Sequence, residues 1–205
     1  MRAFTLGYEA RVPIQELASQ WSAARRETYL IEPNTSFPLS VDKDVWPNVK
    51  GLRPENLLGF WSSYRAVTSA LAGSDAGANA VVVRLAAVDD ACISYFEPIL
   101  EGEPAEEASS SIWAEPLGFD VADRSQISGL TNCAPVPPRS SELKREWRAH
   151  LNKHGLIEQY SAAIRFRDLC DREVPAHAPF CVYQLVRCKP VVDELCAPDI
   201  PPYLR

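Results

Sequence analysis

Glu146, His150 and His154 recur at i, i+4 and i+8. Two imidazoles four apart on a helix share a face and can grip one metal ion, as they do in zinc-protease helices. On a helical wheel of 100° per residue centred on Trp147, both histidines border the apolar stripe and Glu146 points away. They read as residues at the edge of a core, with His154 answering the last free carbonyls before Gly155, and no bound metal is expected. Cys133 follows the loop-like run Gly129-Leu130-Thr131-Asn132, and a thiol nucleophile there would need an imidazole base within hydrogen-bond reach. Nothing in the sequence joins it to a histidine, so a buried thiol is the simpler reading. The chain has no phosphate-cradling glycine loop, nucleophile elbow or dinucleotide fingerprint, and no cofactor is expected.

A larger group is electrostatic. Between Leu85 and Asp123 stand ten carboxylates, Asp89, Asp90, Glu97, Glu101, Glu103, Glu106, Glu107, Glu115, Asp120 and Asp123, with no Lys or Arg among them. Of 27 acids, 17 lie elsewhere and face all 21 basic residues, so the net charge of −6 is local and the rest of the chain sums to about +4. Ile93, Tyr95, Phe96, Trp113, Leu117 and Phe119 interleave with the acids. Such a segment is either a rim neutralised by Arg from elsewhere in the fold or a surface complementary to a basic protein. In the second case charge speeds encounter and aromatic rings hold the complex. That reading assigns partner contacts to Glu97, Glu101, Glu103, Glu106, Glu107, Trp113, Glu115, Phe119, Asp120 and Asp123, and catalysis to no residue.

The elements that must carry these residues follow from pattern. Residues 3–12 alternate as a strand with Phe4, Leu6 and Tyr8 on one face, and Pro13 opens a helix carried by Ile14, Leu17, Trp21 and Ala24. Turn formers fill 31–54, with one short strand near Phe37 to Val41. Pro54 begins a helix of about 18 residues on a stripe of Leu57, Trp61, Tyr64, Thr68 and Leu71, stopped by Gly73. Asn79 to Val88 is a buried strand, and Ala91 to Phe96 reads as another. Gly102, Pro104 and three serines make 101–111 an exposed acidic loop, with order resuming from Trp113 to Asp120. A Pro-rich joint over 132–141 leads to a helix from Ser140 or Ser141 to His154. A further helix from about Ser161 to Glu173 turns Ala163, Phe166, Leu169 and Cys170 inward, and Pro175 ends it. Phe180 to Arg187 alternates as a strand, and an extended tail runs from about 190. Strands and helices do not alternate regularly, which predicts an α+β fold: an antiparallel or mixed sheet with helices packed mainly on one side.

Bulk properties agree with one domain over 1–205. Hydrophobic residues at 46% and charged residues at 23% are globular proportions, and this length can bury a full core. No apolar run is long enough to span a membrane, and the N-terminal residues lack the apolar core of a signal peptide, so a cytoplasmic protein is expected. The six cysteines contain no Cys-x-x-Cys pair and read as reduced, buried thiols. Basic residues of the C-terminal part are mixed with acids, as on a solvated helix surface, which argues against nucleic acid as a partner.

The run Leu117-Gly118-Phe119-Asp120-Val121-Ala122-Asp123-Arg124-Ser125-Gln126-Ile127-Ser128-Gly129-Leu130-Thr131-Asn132-Cys133, with Asn152-Lys153-His154-Gly155-Leu156 and Val174-Pro175-Ala176-His177-Ala178-Pro179-Phe180, resembles uncharacterised bacterial proteins of the toxin-immunity type. The resemblance covers roughly the C-terminal half and implies a dedicated inhibitor of a cognate toxin, without catalysis. The acidic segment fits that independently, because an inhibitor of a basic toxin needs negative charge opposite it. The alternative is a small hydrolase or metal-dependent enzyme using Cys133 or the His150/His154 pair.

Overall fold

Four runs rich in β-branched and apolar residues form one antiparallel sheet in the computed structural model of the chain, which describes residues 2–11, 58, 60–72, 81–101, 112–124 and 146–190. The strands are β1 (Phe4–Arg11), β2 (Val81–Ala87), β3 (Ile112–Asp123) and β4 (Phe180–Pro190), in the spatial order β1-β2-β4-β3. Helices α1 (Tyr64–Ala72), α2 (Asp90–Phe96) and α3 (Tyr160–Glu173) accompany them, and residues 146–148 are also helical. This is the α+β class with an antiparallel sheet, as expected.

The helices divide between the two faces of the sheet. Phe119 packs its ring on Tyr160 of α3 at 5.8 Å, whereas Tyr183, paired with the neighbouring Asp120, meets Phe96 of α2 at 6.2 Å. Successive strand residues point to opposite faces, so α2 and α3 cover opposite sides of the β3–β4 half. Helix α1 buries Val67, Ala70 and Leu71 against Tyr8, Ala10, Val82 and Cys188, on the side that alternation along β4 gives to α3. Two helices thus share one face and α2 lies on the other. Helix α3 turns Ala162, Ala163, Phe166, Leu169 and Cys170 inward, the periodicity expected of it with Ala162 added.

Both outer strands carry a bulge at a glycine. In β1 the register shifts between Thr5 and Gly7, and in β3 between Pro116 and Gly118. Gly7 has φ 146° and Gly118 φ 138°, values that L side chains rarely adopt. Each bulge admits a second backbone. Tyr8 and Trp61 exchange two hydrogen bonds of 2.9 and 3.0 Å on the outer side of β1, and Phe119 and Ile157 exchange two of 2.8 and 2.9 Å on the outer side of β3. The first bulge also corrects the expected facing of β1: Leu6 joins the core beneath Phe60, while Tyr8 packs with α1.

Three expected elements differ. The run Ala91 to Phe96 is helix α2, not a strand, because Asp89 caps it by accepting from the Cys92 amide at 3.0 Å and because Cys92, Ile93 and Phe96 bury one helical side. Of the helix expected from Pro54, residues 58 and 60–63 are not helical and α1 begins at Tyr64, while 54–57 and 59 lie outside the described residues. Trp61 is spent on the bridge to Tyr8, and the Ser63 hydroxyl accepts from Ala66 N at 3.0 Å as the new cap. The helix expected to reach His154 ends earlier. Ala149, His150 and Leu151 donate three residues back, Leu151 bridges Ile157, and the Asn152 side chain accepts from the His154 and Leu156 amides, turning the chain through Gly155 at φ 74°. The expected elements at 13–28, 37–41, 102–111, 132–141 and beyond 190 lie outside the described residues.

The cysteines also depart from expectation. Cys92 and Cys181 form a disulfide across 89 residues of sequence, tying α2 to β4. Closing a loop of that length contributes about 4–5 kcal/mol in the chain-entropy account. Cys170 and Cys188 are buried thiols as expected, and burial raises the Cys188 thiol above its ordinary value.

Candidate functional site

The acidic segment is divided by the fold into a buried and an exposed set. Asp89, Asp120 and Asp123 are buried. Asp89 sits where β2 leaves the sheet: Oδ1 accepts from Cys92 N at 3.0 Å and Oδ2 accepts from Val182 N at 2.8 Å. One carboxylate therefore caps α2 and continues the hydrogen bonding of β2 along β4. Arg167 of α3 lies 3.8 Å from it. Burial works to lower the Arg167 pKa, but the Asp168 hydrogen bond and the charges of Asp168, Asp89 and Asp171 raise it overall. Asp120 accepts from Val121 N at 2.7 Å. Asp123 takes Nδ1 of His177 at 3.1 Å, and its backbone carbonyl accepts the Tyr183 hydroxyl at 3.1 Å. Phe119 is also buried, against Tyr160.

Two further acids meet cations from other elements. Glu97 pairs with Arg2, and Glu115 stands opposite Arg187 across β3 and β4, 3.6 Å away. The pair of Glu97 and Arg2 is exposed and contributes little stability. Glu103, Glu106, Glu107 and the Trp113 side chain lie outside the described residues.

What remains outward is the outer side of α2 and the turn after it. At 100° per residue, Cys92, Ile93 and Phe96 fill one arc and enter the core, while Asp90, Ala91, Ser94, Tyr95 and Glu97 occupy the rest. Pro98 and Glu101 are exposed just beyond. Tyr95 is the exposed large hydrophobic residue among those described, and the Arg124 guanidinium stacks 3.9 Å from its ring centroid. The arrangement is an exposed aromatic ring stacked by an arginine, on a short helix that also presents Asp90 and whose buried side is covalently fastened. It offers docking chemistry and holds no nucleophile–base pair.

The metal-binding candidate has a different geometry from the one the spacing suggested. His150 and His154 do not lie on one helix: His150 packs on the Trp147 ring at 5.4 Å with Arg165 Nη2 3.4 Å from Nε2, and His154 is buried. Among the described residues, the group with three ligand atoms close together is Asp89, Cys92 and Cys181, all within 4.8 Å. Its sulfurs are bonded to each other and its carboxylate is taken by two amides, so as it stands it does not present a ligand set. Cys133 lies outside the described residues.

Two features escaped the sequence. His177 stands half-exposed against buried Asp123, 54 positions away. Tyr183 is wholly buried, and burial first, then the charges of Asp123, Asp89 and Asp120, hold its hydroxyl well above the usual range. No helix among the described residues is long and apolar enough to cross a membrane. Comparison with protein-family models, curated proteins and solved structures finds no match.

Proposed function

We propose that this chain is a bacterial binding protein of the immunity type, which meets a basic toxin domain through the outer side of α2 and the acidic residues around it. The observation that carries the reading is an outer side of α2 bearing Asp90 and the exposed Tyr95 ring, with Glu97 and Glu101 following in the turn, on an element whose opposite side is core. Carboxylates at such a rim steer a cationic partner through a field screened over about 8 Å at physiological salt. The amphipathic Tyr95 ring gives the desolvated contact that sets residence time. The outer side chains of α2 can be changed without opening the core, so binding and folding are separable.

The probes are the purified products of the genes flanking this one, and binding to wild type by no basic product among them overturns the reading. Asp90→Asn with Glu97→Gln and Glu101→Gln lowers the association rate roughly tenfold at low salt, and the loss shrinks as salt is added. Tyr95→Ala raises the dissociation rate instead. An association rate equal to wild type at every ionic strength overturns the reading.

One observation favours a second placement of the same binder. An immunity protein meeting its toxin during synthesis belongs in the cytoplasm, but the Cys92–Cys181 bond suits an oxidising compartment. Counting thiols in protein isolated under acid quench from the source cells decides between them.

A further inference from the structure

We infer that the Cys92–Cys181 disulfide is a redox latch for the partner-binding side of α2, opened by a dithiol reductant; this rests on the binding reading above. Helix α2 has seven residues, far below the length at which a helix persists unaided in water. Its position depends on a few attachments. Asp89 caps its first turn and holds Val182 N, Phe96 meets Tyr183, and Cys92 is bonded to Cys181 at one edge of the buried arc. The only covalent attachment of α2 is therefore made on the side opposite Asp90 and Ser94. Opening it leaves the short helix to its apolar contacts and one carboxylate.

The chemistry balances. A thiolate of the dithiol attacks one sulfur of the bond, forming a mixed disulfide and releasing the other sulfur as a thiolate that takes up a proton. The second thiol of the reductant, as its thiolate, then attacks the reductant's own sulfur in the mixed disulfide and releases the attacked cysteine sulfur, which is protonated in turn. Two electrons and two protons have passed to Cys92 and Cys181, and the reductant leaves as a cyclic disulfide. Both cysteines are buried, at 3% and 0% exposure, so the attacking sulfur gains access only when α2 lifts. The rate of reduction consequently levels off as dithiol is raised, at the opening rate of the helix.

Hydrogen exchange on the full chain, oxidised and dithiol-reduced, tests this directly, with thiol counts confirming each state. The α2 amides of Ile93, Glu97 and Leu100, bonded to Asp89, Ile93 and Phe96, exchange at least tenfold faster after reduction, while those of Ala163 and Val174 at α3 keep their rates. The Cys92→Ala/Cys181→Ala variant reproduces the reduced pattern without reductant. Unchanged α2 rates in protein shown to be reduced, equal acceleration of α2 and α3, or no disulfide in the oxidised sample each overturn the latch. The same samples are then titrated with the basic flanking-gene product that binds wild type, whose affinity falls at least tenfold on reduction. If α2 loosens and affinity holds, the latch stands and the assignment of the binding side fails.

Discussion

Asp89 and Val182, 93 positions apart, are joined by a 2.8 Å hydrogen bond from a strand amide to a side-chain carboxylate, while the other oxygen of that carboxylate caps a helix. Asp89→Ala orphans two buried donors at once, at Cys92 and Val182. The expected cost is about 3–5 kcal/mol, from roughly 1–3 kcal/mol for each unsatisfied buried group. Asp89→Asn keeps one acceptor and turns an amide N–H₂ toward the other donor, so it costs about half as much. Urea unfolding with the disulfide intact measures both; equal stability of Asp89→Ala and wild type would show that the two amides find other partners.

The bulge glycines are irreplaceable for a steric reason. A Cβ at Gly7 would stand 2.4 Å from Phe60 Cβ and 2.9 Å from the Trp61 carbonyl, and one at Gly118 would stand 2.8 Å from Leu156 Cβ and Asn152 Nδ2. At either position backbone strain adds to the collision. Gly7→Ala and Gly118→Ala each lose about 2–4 kcal/mol in denaturant titration. Gly7→Ala suffers more, because its approach to Phe60 Cβ is closer than any at Gly118.

Phe166 is fully buried and meets the Trp147 ring edge-on at 4.8 Å. Phe166→Ala opens a cavity where α3 meets the 146–151 segment and costs about 3–5 kcal/mol. Phe166→Leu, which refills most of the volume, recovers more than half of that when the two variants are compared by urea unfolding.

Alkaline pH should unfold the protein through its buried phenols. Tyr183 titrates well above 10.0, and Tyr64 and Tyr160 are also raised, each by burial before anything else. A raised folded-state pKa means that the native chain keeps a proton the unfolded chain has lost. This stability is complete below pH 10 and is lost progressively as pH climbs from there toward the folded-state values. Cys188, raised from 9.0 by burial, starts the same trend one unit lower. Melting temperatures from pH 8 to 11.5 therefore fall steeply above 10, and Tyr183→Phe flattens that fall while lowering the neutral-pH melting temperature through the lost bond to the Asp123 carbonyl. An unchanged slope would place the alkaline transition elsewhere.

Long, regular patterns were readable and short, relayed ones were not. Helix α3 shows a clear 3.6-residue period in Ala163, Phe166, Leu169 and Cys170, and the β-branched run of β2 has one reading. Cys92, Ile93 and Phe96 give an apolar run too short for periodicity to separate helix from strand; the discriminating signal was Asp89 as a cap. Isolated Gly7 and Gly118 inside strand patterns could have announced bulges, and with them the switch that sends Leu6 and Tyr8 to different sides. Nothing local links Cys92 to Cys181 or His177 to Asp123, since their pairing is made by sheet topology. Counting carboxylates located a charged segment but could not tell that Asp89, Asp120 and Asp123 turn inward to serve amides and side chains of the fold.

The two backbone bridges on β1 and β3 limit how this molecule can meet any other. An open sheet border is a template on which a foreign strand can build, and it is the usual route to fibrils. Here the Trp61 and Ile157 backbones occupy the middle of both borders, so an incoming strand finds no continuous row of amides and carbonyls to extend. A partner is left with side-chain recognition, and growth by strand addition is blocked at both ends of the sheet. Cutting either bridge, as Gly7→Ala or Gly118→Ala would, exposes a border and turns a stability defect into an assembly hazard.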